Sequence, residues 1–430
     1  MRSRRPFPRF MEIMKEIDSQ RVALARHRNK LAPISTLPDE LLLKIFATCV
    51  ADQPLCQLNS PSTRYSECIT LPDWWINITY VCHHWRTLAI ASRSLWTHPP
   101  MFSPVWGPEM IRRSDSLPLV IQWSVSDPTW HPQFTWQHSS VPDMITAEIT
   151  RVKELSFCSF PHGTEIISKP LRGLSATQLE SLSWKAHENA RRSPQPVVLD
   201  IDCPNLRRLF VRDIAIHWNS QILRAPMLVS LVLICGLECS PRAPSTRQLL
   251  DVLRSCNKLQ TLTLKVPIPR IAHGVELPLD TDTPIPLPQL QCISLQWDCR
   301  SCTDLLNLLA YPASVSTQVH CTDNIMSQTS LASFFDAIAS KYRSGSQAES
   351  IRRCRVVNRQ LTEDKVVTRR RMQQRDTVTY ITVQGFTSLQ LGQEEQPCFS
   401  LCLGAGTRAL HGASTHLLLQ KKVGLVYGRA

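Results

Sequence analysis
The sequence predicts an α/β chain in which an N-terminal helical module precedes a solenoid of strand–helix repeats with a parallel sheet on its concave face. Three observations predict it. Apolar residues at helical spacing dominate the first hundred residues, an L-x-x-L-x-L pattern recurs six times between residues 152 and 295, and the repeat vanishes after about residue 345. The chain has 430 residues, 43% hydrophobic and 19% charged, which is material for two to three cores and too apolar for disorder.

The first predicted element is a helix over residues 10–31. Phe10, Met14, Ile17, Leu24 and Leu31 recur at spacings of three, four or seven, with charges between them. Arg21 and Arg28 interrupt this narrow stripe, so it suits a docking helix better than an independent coiled coil. Pro33 ends it. A second helix opens at Pro38, whose ring suits the first helical position, and Asp39 and Glu40 place negative charge at the positive end of the helix dipole. Leu42, Ile45, Phe46 and Cys49 then share one face. Residues 51–72, polar and with three prolines, read as a loop. A further helix covers Trp74 to Ser92, with Val81, Trp85, Leu88 and Ser92 on one face and Ile78, Cys82 and Ala89 widening it. Leu95-Trp96 adds an aromatic anchor. Two such helices bury too little to stand alone, so the apolar excess at Leu37, Ile45, Phe46, Trp85 and Trp96 implies a neighbouring domain or another chain.

Taken in order, Leu37-Pro38-Asp39-Glu40-Leu41-Leu42, Ile45-Phe46, Val81-Cys82-His83-His84-Trp85-Arg86-Thr87-Leu88-Ala89 and Leu95-Trp96 resemble an F-box. The departure is an inter-helix loop about 20 residues longer than the compact motif needs. The preceding charged helix, and Arg113-Ser114 before Leu117-Pro118-Leu119, also resemble a large group of fungal F-box proteins, a likeness that runs to about residue 345. The resemblance implies docking on a Skp-type adaptor and, through it, on a cullin ubiquitin ligase. By motif position the adaptor contacts are Leu37, Pro38, Leu42, Ile45, Phe46, Val81, Cys82, Trp85, Leu88 and Trp96, some of which must instead pack the helix pair.

The repeats are Val152-Leu155-Phe157, Leu179-Leu182-Trp184, Leu206-Leu209-Val211, Leu228-Leu231-Leu233, Leu259-Leu262-Leu264 and Leu290-Ile293-Leu295, with starts 27, 27, 22, 31 and 31 residues apart. Leucine-rich repeats run ~20–29 residues, so the last two units carry insertions. The period of two inside each unit means a short strand with one buried face. Helical stretches at Ser220–Leu223 and Thr246–Arg254 lie between strands, and no unit can bury its leucines without its neighbours. Residues 267–288, with six prolines, form a surface excursion. Target contacts fall at the variable positions Arg207, Arg208, Phe210, Ser230, Gln260, Thr263 and Gln296. The expected division is 1–32, a basic segment with the docking helix; 33–98, the F-box; 99–145, a connection; 146–345, the repeats; and 346–430, a basic, poorly defined extension in which Thr377 to Val383 reads as a strand.

Composition and motifs exclude several function classes. The net charge of +13 sits in residues 1–30 (net +6) and 351–375 (net +7), leaving a neutral body. Few aromatics interleave with Arg352, Arg353, Arg355 and Arg369-Arg370-Arg371, so a solvated, mobile segment fits that stretch better than a nucleic-acid surface. Thirteen glycines among 430 residues speak against phosphate loops, and Gly404-Ala405-Gly406 lacks the acidic residue a dinucleotide site needs. Cys299-x-x-Cys302 has no second ligand pair at zinc-finger spacing, and His83-His84 are consecutive on a helix and do not face one another. No motif selects a nucleophile and base. The expectation is a non-enzyme without cofactor or metal that binds an adaptor and an unknown protein target. No signal peptide or membrane-length apolar run is visible and the cysteines suit buried apolar positions, so a soluble cytoplasmic or nuclear protein is expected. The alternatives are a repeat scaffold with no role in ubiquitination and a nucleic-acid binder acting through the basic tail.

Overall fold
The computed structural model describes residues 8–51, 74–101, 103–125, 135–159, 163–186, 197–235, 244–268, 284–312, 314–321, 333–334, 336–337, 353–361, 378–386 and 399–405. The architecture is α/β, with an N-terminal helical region and a mostly parallel sheet. Two compact units divide the chain: Met1–Ser124 with Gln133–Gln137, and Val125–Pro132 with His138–Ala430. The expected loop at 51–72 and most of the proline-rich excursion lie outside the described residues.

The first unit begins with α1 (Pro8–Lys30), exposed at every residue from Phe10 to Arg28. A 3₁₀ turn at Pro33–Thr36 follows, and Ser35 Oγ donates to the Asn29 carbonyl at 2.6 Å. Pro38 lies one position ahead of α2 (Asp39–Ala51) rather than inside it, where its carbonyl accepts the N–H of Leu42 at 3.1 Å. The helix expected over Trp74–Ser92 is broken. A 3₁₀ turn (Trp74–Asn77) and α3 (Ile78–Val81) end at Cys82, which is fully extended (φ −159°, ψ 169°), and α4 (His83–Ala91) starts afresh. Cys82 caps the new helix, its Sγ accepting the Trp85 N–H at 3.5 Å. The break takes Val81 off the face that Trp85 and Leu88 share, so the single stripe read from the sequence is really two.

The core of this unit is Leu42, Phe46, Trp75, Ile76, Ile78, Ala89, Leu95, Trp96 and Met110, with Leu37, Trp85, Leu88 and Trp106 packed against it. Tilted aromatic pairs join its parts, Phe46 with Trp85 (centroids 5.1 Å) and Trp75 with Trp96 (5.0 Å). Trp75-Ile76, and Met110 from α5 (Trp106–Ser114), supply cover that two helices lack. Much of the apolar excess seen in the sequence is thus satisfied within the unit. The Arg113 guanidinium lies 4.3 Å from the Trp96 ring centroid and bonds Glu109 at 2.7 Å. Hydrogen bonds from Arg112 and Arg113 outweigh burial and hold the Glu109 carboxyl down to about 2. After α5 comes the strand β1 (Leu119–Val125).

The second unit is organised by its sheet. Its strands are β2 (Val152–Ser159), β3 (Ser181–Ala186), β4 (Arg208–Arg212), β5 (Ser230–Ile234) and β6 (Thr261–Lys265), followed by β7 (Ile285–Pro286), β8 (Cys292–Trp297), β9 (Leu309–Ala310) and β10 (Ser316–Cys321). The long strands pair in the order β2-β3-β4-β5-β6-β8-β10, all parallel, while β7 pairs separately with β9. Leu155, Leu182, Leu209, Leu231, Leu262 and Ile293 are successive register partners, and Phe157, Trp184, Val211, Leu233, Leu264 and Leu295 form a second row two residues on. Every member of both rows is buried. Apolar rows of this kind result when a period-two pattern stacks without slipping, since a one-residue slip would turn each strand inside out.

The first leucine of each unit is buried too, but it precedes the strand. Leu179, Leu206, Leu228, Leu259 and Leu290 each donate their N–H to the carbonyl three residues back, that of Ala176, Cys203, Ala225, Cys256 and Leu287, at 3.1–3.2 Å. A buried, mostly small residue therefore begins each unit, a signal the sequence reading missed. Cysteine serves there as a small apolar side chain. Burial pushes the Cys203 thiol up to about 12, with Asp202 adding to the effect, and Cys256 up to about 11, so neither ionises near neutral pH.

Helices link the strands: α6 (Thr135–Glu148) before β2, α7 (Gly163–Leu171) before β3, α8 (Thr246–Ser255) before β6 and α9 (Cys299–Leu308) after β8. A Ser245–Gln248 capping box starts α8, which buries Leu249, Leu250, Val252 and Leu253. The shortest unit, 22 residues, has room only for a 3₁₀ turn at Gln221–Arg224. Asp298 caps α9 by accepting the Ser301 N–H at 3.0 Å, and Cys299 and Cys302 lie on that helix's buried face with Leu305 and Leu306.

The C-terminal region differs from expectation. The strands β11 (Arg353–Leu361), β12 (Val378–Phe386) and β13 (Phe399–Ala405) extend the sheet beyond β10, with β13 parallel to β10 and β12 and β11 added antiparallel. The strand read at Thr377–Val383 is present as β12, and part of the stretch read as mobile and basic is strand β11.

One substitution pair tests the register. Leu231 is 1% exposed, and its neighbour Ser230 is half-buried on the other face. Leu231→Asp strands a carboxylate in the core at a cost of several kcal/mol, whereas Ser230→Asp changes stability by ~0.5 kcal/mol or less. Thermal melts of the two variants read the difference, and equal melting temperatures would refute the half-buried strand.

Candidate protein-binding surfaces
The helices of the first unit divide the motif residues into covered and uncovered sets. Leu42, Phe46 and Trp96 have no exposed surface, so they are corrected from expected adaptor contacts to core residues. The Trp96 indole N–H donates to the Ala89 carbonyl at 3.0 Å, which fixes its ring inside the unit. Leu37, Trp85 and Leu88 are partly buried against this core, and Cys82 is occupied as a cap. Pro38, Ile45 and Val81 remain exposed. Leu41 (43% exposed), Ile45 (40%), Tyr80 (67%) and Val81 (57%) leave apolar surface on the outer sides of α2 and α3. Leu41 lies one turn from Ile45 on the side of α2 away from Leu42 and Phe46, a pairing that the i, i+4 rule could have found in the sequence. His84 Nε2 lies 3.0 Å from Asp39 Oδ1, joining α4 to the first turn of α2. Among the described residues, no group of His, Cys, Asp or Glu is arranged to hold a metal ion.

The second surface is the face of the sheet opposite the leucine rows. One ladder row on it runs Glu154, Ser181, Arg208, Ser230, Thr261, Cys292 and Ser316, and the next runs Ser156, Ser183, Phe210, Val232, Thr263, Ser294 and Gln318. Arg208, Phe210, Ser230 and Thr263 thus fall where the sequence put them, and Gln296 pairs with His320 farther along. Arg207 and Gln260 precede their strands, so they are corrected from the face to its entrance edge. There the Arg207 carbonyl accepts the Val229 and Ser230 N–H groups, and the Gln260 carbonyl those of Gln291 and Cys292.

The face is polar and cation-rich. Arg208 reaches across two strands to Glu154 at 3.1 Å and bonds Ser181 Oγ at 3.4 Å. The Lys185 ammonium lies 5.3 Å from the Phe210 ring centroid, and Arg212 pairs with Asp213 at 3.4 Å. Lys185, Arg212, Ile234 and Lys265 form a third row in register. Burial holds the His320 imidazole below its ordinary pKa, and the Lys265 charge lowers it further. Such a surface can ion-pair and hydrogen-bond with an extended partner. The void of about 20 Å³ whose lining includes Val211, Ile214, Trp218, Leu223, Leu233 and Val266 has room for little more than one water.

Comparison with known proteins finds no match among family models, curated proteins or solved structures. Among the described residues, no helix is long and apolar enough to cross a membrane.

The charge coupling on the face is measurable. Lys265→Met removes the smaller of the two causes acting on His320, so its pKa rises but stays below that of a free imidazole because burial persists. Nuclear magnetic resonance titration of His320 reads this, and an unchanged pKa would contradict the charge coupling.

Proposed function
We propose that the first unit is an F-box that docks on a Skp-type adaptor and that the in-register strands belong to a leucine-rich-repeat solenoid that binds a protein target. The chain is then a target receptor of a cullin ubiquitin ligase, recruiting without catalysing. The observation that carries this reading is the pairing, within one motif, of a complete aromatic core with apolar side chains left outside it. Leu41, Ile45, Tyr80 and Val81 are exposed although the core beside them is filled. Uncovered apolar side chains of this kind mark interaction sites when they cluster. The polar sheet face supports the second half of the proposal, because stacked repeats offer a broad rigid surface with varied side chains.

The variants that test docking must spare the core. Phe46→Ala would cost ~3–5 kcal/mol by opening a cavity and would report on folding rather than on contact. The joint change Ile45→Asp and Val81→Asp instead places charge on exposed positions. The expected result is loss of adaptor co-purification with the melting temperature unchanged. Undiminished co-purification would overturn the docking assignment.

A further inference from the structure
α1 is a helix whose apolar side chains the rest of the described chain leaves uncovered. Phe10, Met14, Ile17, Arg21, Leu24, Arg28 and Leu31 follow one another at strictly alternating spacings of four and three, and all seven are exposed. In heptad terms, Phe10, Ile17 and Leu24 take the d positions and Met14, Arg21 and Arg28 the a positions, with Leu31 continuing the spacing one residue past the helix end. The acids of this helix are confined to its first half, where Glu12, Glu16 and Asp18 accompany Arg9 and Lys15, while Arg21, Arg26, Arg28 and Lys30 fill the second half with no acid among them. Neither Arg21 nor Arg28 has an ion-pair partner among the described residues.

We propose that α1 forms a two-stranded coiled coil with an acidic helix of another protein, one that carries carboxylates where it faces Arg21 and Arg28. A polar a position specifies its partner at some cost in stability, and two arginines at successive a positions make that requirement a charge requirement. A second copy of the chain meets it poorly. In parallel it would set Arg21 against Arg21 and Arg28 against Arg28. In either direction Glu12 and Glu16, at f and c, point away from the seam, leaving Asp18 at e as the one flanking acid. A lipid surface fits less well, because membrane-bound helices keep their cations off the apolar face and here two guanidinium groups interrupt it. This interaction is independent of adaptor docking and of target binding on the sheet.

The test uses the full chain and two labelled synthetic heptad peptides of 28 residues. Both carry Leu at d; one carries Glu at a, the other Lys. Fluorescence anisotropy is expected to show the Glu peptide binding at least about tenfold more tightly. The joint variant Arg21→Glu, Arg28→Glu should reverse that preference while far-ultraviolet circular dichroism stays unchanged. Equal binding of the two peptides, or an unreversed preference in the variant, would overturn the proposal. So would sedimentation showing a homodimer that Ile17→Asp dissolves, or capture of the chain by phosphatidylserine-containing vesicles that the same substitution abolishes.

Discussion
The second unit depends on the burial of apolar rows that no strand could bury by itself. Leu231 on β5 is buried with Leu209 and Leu262 beside it in register. The same holds for each neighbour along the sheet. Burying a leucine side chain contributes roughly 1.5–3 kcal/mol, while fixing one residue's backbone costs ~1–2 kcal/mol. A five-residue strand with two buried apolar side chains therefore gains little alone, and the stack stabilises what the unit cannot. The polar face follows from the same geometry. Once alternate residues are committed to the core, the residues between them are presented in rows whose chemistry is free to vary.

The first unit applies that separation of inside from outside to helices. Leu42 and Phe46 point into an aromatic core closed by Trp75, Trp96 and Met110, while neighbouring positions such as Leu41 and Ile45 keep apolar surface exposed. Cys82 matters because it breaks the chain between α3 and α4 and thereby turns Val81 outward. The cation over Trp96 is held by Glu109 from the same helix, which ties α5 to that ring.

How much of this was legible in the sequence differs by element. The six strands were readable because a period of two, repeated at nearly regular spacing, has one simple structural meaning. The turn that opens each unit was not, since Ala176, Cys203, Ala225, Cys256 and Leu287 share burial and small or apolar character rather than one residue type. The break at Cys82 was hidden because no proline or glycine marks it, and the sequence shows the helical period continuing through it. On the sheet face, Arg208, Phe210, Ser230 and Thr263 followed from alternation, but Arg207 and Gln260 did not. The turn that opens each unit closes at its first leucine, and Arg207 and Gln260 lie between that turn and the strand, where alternation carries no information. At the motif, residue order identified the helices, yet only packing separated Phe46, Leu42 and Trp96 from the exposed Ile45 and Val81.

Native-state hydrogen exchange on the full chain tests the central claim, that shared apolar rows make the strands one stabilising unit. The account predicts that amides in β3, β4, β5, β6 and β8 open together with a single free energy, and that Leu231→Asp lowers protection in all of them. Protection lost from β5 alone, with its neighbours unchanged, would contradict it.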